Sequence, residues 1–383
     1  MNHLQSIGKH TACVHTGTYR DSRVPGINTP VYTSTAFEYL DNEESIYPRY
    51  FNTTNQEVIV KKIAALEHAE NGLVMSSGMA AISTVLLGLL KSGDHVVFQK
   101  GLYGGTFHFV VAELQKLGIS YSITKGIEED DFLAALRPNT AMIYIETPSN
   151  PLLSITDIEM VANIAKEHGL VSVIDNTFAS PVNQNPVDLG IDIVVHSATK
   201  YLGGHSDICA GIILSTSKRI AEIRKMALNL GGSLNAQTCA LLERSIKTLA
   251  LRVNQQNSNA GEVASYLRKH EQVSRVYYPG LKTHQNHNVA VRQMSGFGGM
   301  LSFELRNLDP VKFQRKLNLI KPAVSLGGIE TTICSPTMTS HRHLTDSQRK
   351  EEGINEKLLR LSVGIEDIPD ILQDLDQALS LDI

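Results

Sequence analysis

A lysine stands where an apolar run gives way to a glycine-rich loop. In "DIVVHSATKYLGGHSD", residues 192–207, Ile193-Val194-Val195 leads into Ser197, Thr199, Lys200, an aromatic and two glycines. A lysine at the end of a buried strand is partly desolvated, which favours the neutral amine and lets it attack a carbonyl. Ser197 and Thr199, two apart in extended chain, project the same way and offer hydroxyls for phosphate oxygens beside that amine. An attacking amine next to phosphate donors fits an aldehyde that carries a phosphate, namely pyridoxal phosphate.

That cofactor makes two further demands. Its ring nitrogen must stay protonated, which calls for a buried carboxylate, and Asp175 ends the apolar run of "VSVIDNT". Its phosphate needs backbone donors, and "MSSGMAAISTVLLGLL" opens an apolar helix on Ser-Ser-Gly, whose first amides and dipole favour an anion. Tyr103 in "GLYGGTF" follows the strand "HVVFQ" and can stack on a flat ring. Arg360 in "LLRLSVG" has the planar fork that grips a carboxylate in two places. Taken singly, Asp175 also reads as a loop cap, Ser-Ser-Gly as a plain helix cap, Tyr103 as packing and Arg360 as half of a salt bridge. Their conjunction carries the reading.

These residues need a frame that brings strand ends together. "DHVVFQ", "TAMIYIET", "LVSVIDNT", "DIVVHS" and "AGIILST" read as strands without polar alternation. "QEVIVKKIAALEH", "EEDDFLAALR" and "DIEMVANIAKEHG" read as helices, the acids of "GIEEDDF" favouring a first turn. Apolar strands separated by helices predict an α/β fold with a mostly parallel sheet covered on both faces, which binds ligands beyond the strands' carboxyl ends. Residues 1–55, rich in turn formers and tyrosine, are expected to form an arm that contacts another subunit. Residues 56–250 are expected to form the large cofactor-binding domain. Long helices, the strands "VSRVYYPG" and "GGMLSFEL" and a last helix "IPDILQDLDQAL" predict a smaller C-terminal α/β domain over 251–383.

The chain has 383 residues, 42% of them hydrophobic, enough to bury a substantial core. A net charge of −4 favours neither nucleic acid nor an anionic membrane surface. No apolar run suits a membrane span, and the start lacks the pattern of a secretory signal. Cys13, Cys209, Cys239 and Cys334 are scattered, as expected of reduced thiols in a cytoplasmic protein. A metal centre could cite His284 with His287, or His341 with His343, but neither pair has carboxylate or thiolate companions in sequence; no metal is expected. A non-catalytic cofactor-binding regulator usually carries a separate basic DNA-binding segment, and none is visible.

The segments "YPRYFNTTN", "SSGMAA", "LYGGT", "ETPSNP", "DNTF", "SATKYLGGHSD", "YPGL", "GGMLSFEL", "AVSLGG" and "LLRLSVGIED" stand in the order found in the Cys/Met-metabolism (transsulfuration) pyridoxal-phosphate enzymes, which the chain resembles over nearly its whole length. The resemblance implies the aspartate-aminotransferase-like fold, fold type I, assembled as a homotetramer of two catalytic dimers. It implies that Lys200 bonds the cofactor aldehyde and later shuttles protons, that Asp175 holds the ring nitrogen, and that Tyr103 stacks on the ring and helps protonate a leaving group. Gly78, Met79, Ser197 and Thr199 would hold the phosphate, with Tyr47 and Arg49 reaching it from the partner subunit. Arg360 would bind the substrate carboxylate, assisted by Asn150 and Ser325.

Side-pocket residues discriminate among the family's reactions. The cystathionine γ-synthase and γ-lyase branches usually carry an acid before "SLGG", an acid before the phosphate-binding tyrosine and an arginine two after "YGGT". Here those positions are Val324, Ile46 and His108. A pocket without those polar groups favours an apolar thioether, since an unpaired buried charge is costly. This resembles methionine γ-lyases, and the valine also resembles some cystathionine β-lyases. Against the former, the cysteine of their "YGCT" is Gly105, and the family's "MTH" becomes Thr339-Ser340-His341. "NTTN" replaces the family's Asn-Pro-Thr with Asn52-Thr53-Thr54. The expectation is a C–S lyase of a small sulfur amino acid, by α,γ-elimination of methionine, releasing ammonia, a 2-oxo acid and a thiol. Cystathionine β- or γ-cleavage and γ-replacement on an O-acylhomoserine are the alternatives.

Overall fold

The computed structural model describes residues 7–41, 43–342 and 345–380. Two sheets organise the chain. The larger has seven strands: β1 (Asn71–Met75), β2 (His95–Phe98), β3 (Ser120–Ile123), β4 (Thr140–Glu146), β5 (Val171–Asp175), β6 (Ile193–His196) and β7 (Gly211–Ser215). Their spatial order is β1-β7-β6-β5-β4-β2-β3. The pairs among β2 to β6 are parallel, as expected of apolar runs separated by helices. β7 is antiparallel to both neighbours. No crossover helix separates β6 from β7, so the chain turns back along the same edge through the Lys200 loop and must reverse direction.

Both faces of this sheet are covered. One packs Val173, Val195, Ile213 and Tyr144 against Ile82 and Val85 of the helix Gly78–Leu89. The other packs Ile143, Ile174, Val194 and Ile212 against Ile59 and Ile63 of the helix Thr54–Glu67. The alternation assigns each strand-end residue to one face: Asp175 shares the side of Val173, whereas Asn176 and His196 take the other.

The smaller sheet has five strands, β8 (Val273–Tyr277), β9 (Met300–Leu305), β10 (Lys321–Pro322), β11 (Thr332–Cys334) and β12 (Leu358–Ser362), in the order β10-β11-β12-β9-β8. It packs under the helix Ile368–Leu379, whose Ile371, Leu375 and Ala378 are fully buried with Phe303, Leu359 and Leu361. The helix Leu249–Leu267 belongs to both cores. Leu249, Ala250 and Val253 join the large-sheet core, and Ala260, Val263, Ala264 and Leu267 join the small-sheet core. The segment before residue 56 contains a short helix, Lys9–His15, whose Ala12 and Cys13 are buried in the large-sheet core. No helix among the described residues is long and apolar enough to cross a membrane.

Candidate active site

Three strand ends meet at the carboxyl edge of the large sheet. β4 and β5 end side by side, with Glu146 in register with Asp175, and β6 passes Asp175 at Val195 before the turn to Lys200. Thr177 ties two of these ends together. Its N–H donates to Asp175 Oδ1 at 3.0 Å, and its hydroxyl oxygen accepts from the N–H of Ser197 at 2.8 Å. Burial pushes the Asp175 carboxyl up, opposed by the Thr177 side chain and N–H and by the positive fields of His196 and Lys200.

The Lys200 amine donates to Ser325 Oγ at 2.8 Å. Burial first, then the neighbouring Arg360 guanidinium, push this amine down to about 8 from an ordinary 10.5, against the attraction of Cys209 and Asp175. Ser325 sits at φ +82°, a left-handed conformation unusual for a non-glycine residue. From there its hydroxyl meets Lys200, while its carbonyl accepts from Arg360 Nη2 at 3.3 Å. Arg360, on β12 and buried, also donates to Asn150 Oδ1 at 2.8 Å. Lys200, Ser325, Arg360 and Asn150 thus form one connected set. Val324, next to Ser325, is 71% exposed.

Beside them, the helix Gly78–Leu89 presents its amino end. Ser77 caps it by accepting from Ala80 N, which leaves the amides of Gly78 and Met79 without intrahelical acceptors. A β-carbon on Gly78 would lie 2.7 Å from Ser197 Cβ, so glycine is what allows the serine hydroxyl to sit against the helix end. Free amides and a hydroxyl at a helix amino end make a cradle for an anion. The Thr199 hydroxyl, by contrast, is engaged with the backbone of Ala210, at 3.2 Å to its oxygen and 3.0 Å from its nitrogen. Tyr103 is 45% exposed, and its N–H donates to Glu146 Oε2 at 2.8 Å. A β-carbon on Gly105 would lie 2.5 Å from Tyr103 Cε1 and 3.2 Å from Met79 Sδ, so ring and thioether flank that glycine.

Tyr47 and Arg49 do not join this set within the protomer. Arg49 Nη1 donates to Leu228 O at 2.6 Å near the end of the helix Ser217–Leu230, with its guanidinium 5.9 Å from the centre of the Tyr47 ring.

Several residues of the site carry no motif of their own. Glu146 is buried, its carboxyl raised well above the usual range by burial and by Asp175, and its Oε1 has no partner among the described residues. The buried hydroxyl of Thr106 lies between this carboxyl and the Tyr144 hydroxyl and acts on both. Arg252, buried in the helix Leu249–Leu267, donates to Tyr201 O at 2.9 Å and to Ser245 O at 3.0 Å, fixing the loop after Lys200 from below. His341 is buried, with burial and then Arg360 pushing its imidazole down to about 4, so it stands neutral beside the guanidinium. Among the described residues no three His, Cys, Asp or Glu side chains come together as metal ligands; His343 lies outside them.

A lysine amine pushed down by burial, a carboxylate at a neighbouring strand end and helix-end amides without acceptors beside Ser197 are the chemistry that pyridoxal phosphate requires, and these residues fit it. The description "Cys/Met metabolism PLP-dependent enzyme" matches residues 10–380. A cystathionine beta-lyase of Lactococcus lactis subsp. cremoris is 42% identical over 374 residues, covering 96% of this chain and 98% of that protein. An L-methionine gamma-lyase of Fusobacterium nucleatum subsp. nucleatum is 39% identical over 392 residues, covering 98% and 99%. The crystal structure of cystathionine gamma-lyase from Lactobacillus plantarum complexed with L-serine superposes with a TM-score of 0.94 at 38% identity, covering 98% and 99%.

Proposed function

From the premise that this chain belongs to the Cys/Met metabolism PLP-dependent enzyme family, we propose that it is a C–S lyase whose preferred reaction is the α,γ-elimination of methionine. The family supplies the cofactor and the fold type, and the carbon–sulfur lyases among its relatives supply the reaction class. When bound, pyridoxal phosphate supplies an aldehyde for amines and a ring that withdraws electrons from the substrate's α-carbon.

The residues divide the remaining work. Arg360 grips the substrate carboxylate, oriented by Asn150 and the Ser325 carbonyl. Lys200, its amine held near neutrality, takes the proton from Cα and then one from Cβ, which γ-elimination requires in addition. Tyr103 hands a proton to the departing sulfur. Asp175 would hold the ring nitrogen, and the amides of Gly78 and Met79 with Ser197 would hold the phosphate, joined by Thr199 once its hydroxyl turned from Ala210. With one water consumed, the products are ammonia, a 2-oxo acid and a thiol.

The observation that favours methionine is Val324, exposed beside the serine that holds the Lys200 amine. Tyr103 and Met338 are also solvent-accessible, at 45% and 61%. An apolar side chain where the substrate's far end must lie suits a methyl thioether better than a second amino acid. Cystathionine cleavage is the second reading, favoured by the 42% identity to a cystathionine beta-lyase. Steady-state assays with methionine, homocysteine, cystathionine, cysteine and an O-acylhomoserine plus thiol decide between them. The reading expects the highest kcat/KM for methionine and its decline in Val324→Glu; turnover of the O-acylhomoserine pair alone would refute a lyase.

The assembly belongs to the same proposal. Val24, Ile27, Tyr39 and Leu40 are 69–81% exposed in a segment with little regular structure, the composition of an arm that lies on another subunit. A homotetramer that brings Tyr47 and Arg49 to a neighbour's phosphate cradle accounts for both, and light scattering on the holoenzyme measures it. Cytoplasmic residence remains part of this proposal.

A further inference from the structure

We propose that Glu67, His196 and Asn176 are positioning residues for Asp175, with the buried His196–Glu67 pair acting from behind the sheet to favour the form of this carboxyl group that binds the cofactor's ring nitrogen. The inference rests on the assignment of Asp175 given above.

The strand period carries it. Asp175 and Val195 are register partners, so the next residues, Asn176 and His196, turn to the opposite face directly behind the carboxylate. There they converge on one atom. His196 Nε2 lies 2.6 Å from Glu67 Oε1, and Asn176 Nδ2 donates to the same oxygen at 2.7 Å. Both ionisable side chains are sealed, at 1% and 0% exposure. The amide of Asn176 is fixed in turn by Gln184, whose Nε2 donates to Asn176 Oδ1 at 2.9 Å and to the Thr147 carbonyl at 3.0 Å.

A fully buried carboxylate needs a counter-charge, because leaving it alone costs more than most contacts return. Lys9 is near enough to feel Glu67, but its ammonium is already bound to the carbonyls of Pro181 and Val182 and to Asn185 Oδ1. His196 makes the direct contact. As a mere clamp between helix and sheet an ion pair is a poor choice, since apolar packing of the same volume holds as well. One residue behind Asp175 its charge has a use. On the cofactor side, burial of Asp175 itself disfavours its ionised form, and the field of Lys200 works against that burial. His196 is among the groups whose field favours the ionised form of Asp175.

The test separates charge from structure. Affinities of the apo forms for pyridoxal phosphate and for its 1-deaza analogue, whose ring nitrogen is replaced by C–H, are measured for the wild type, His196→Gln, Glu67→Gln and Asp175→Asn. The inference expects His196→Gln to weaken pyridoxal phosphate binding about tenfold or more, the equivalent of one pKa unit, with deaza affinity within about twofold of wild type. Glu67→Gln, which keeps an oxygen for Asn176, should show the same selectivity; it stands in if His196→Gln fails to fold by circular dichroism. Equal losses for both cofactors in these variants, with Asp175→Asn still selective, overturn the inference alone and leave a structural clamp. Equal losses in Asp175→Asn overturn the assignment of Asp175 and the inference with it.

Discussion

The Lys200 amine offers a prediction whose size follows from its surroundings. Burial and the Arg360 charge bring it down to about 8 from 10.5. At pH 7 about one amine in ten is then neutral, against about one in three thousand for an ordinary lysine, a gain of about 300-fold in the attacking species. The sign is fixed: raising the pH exposes more neutral amine in both cases, but Lys200 saturates above about 8 while a free amine goes on gaining up to 10.5. The assay mixes apoenzyme with pyridoxal phosphate by stopped flow and follows the visible absorbance from pH 6 to 11. Each rate constant is divided by that of a blocked free lysine, which cancels the cofactor's own ionisations. This ratio should fall about 200-fold between pH 7 and 11, with its break near 8. Arg360→Gln removes the second of the two downward pushes and should move the break upward, with no substrate present to confuse its binding role. A ratio that stays flat with pH, or a break that moves down in Arg360→Gln, would refute the reasoning.

Three further outcomes follow from contacts elsewhere in the site. Gly78→Ala places a β-carbon 2.7 Å from Ser197 Cβ, so the helix end and the serine must part; cofactor affinity measured by fluorescence should fall about tenfold or more, with loss of the cradle's hydrogen bonds as the cause. Arg252→Leu leaves the carbonyl of Tyr201 without its Arg252 donor and takes one donor from that of Ser245, which keeps Thr248, and urea unfolding should show a loss of about 2 kcal/mol, with the Lys200 loop loosened. Arg360→Lys keeps the charge but not the fork, and KM should rise by about tenfold or more for every amino-acid substrate tested, whereas the cofactor's affinity should change little.

The parts of the fold that declared themselves in the sequence were those with a strong local signal. The runs "TAMIYIET", "LVSVIDNT" and "DIVVHS" are apolar on both faces because helices cover both, and they proved to be β4, β5 and β6. The reverse direction of β7 was not visible, since it depends on what the Lys200 loop does in space rather than on the composition of "AGIILST". β3 escaped because it is a sheet edge of mixed polarity, half-buried throughout. In the site, Lys200, Asp175 and Ser197, singled out by their motifs, lie at the carboxyl edge of the large sheet. Glu146, Thr177 and Arg252 were not, because their importance lies in contacts with residues far along the chain. Glu67 closes an ordinary amphipathic helix, and nothing in "AALEH" says that His196, 129 residues away, will lie against it. Conversely, Tyr47 and Arg49 read as phosphate ligands only through family resemblance, and a single protomer keeps them apart from Lys200.

One measurement bears most directly on the whole account. The holoenzyme is reduced with borohydride, digested, and its peptides weighed by mass spectrometry. The cofactor's mass should appear on the peptide that contains Lys200 and on no other lysine, and Lys200→Ala should carry none and turn over no substrate. A label on a different lysine, or undiminished turnover by Lys200→Ala, would contradict it.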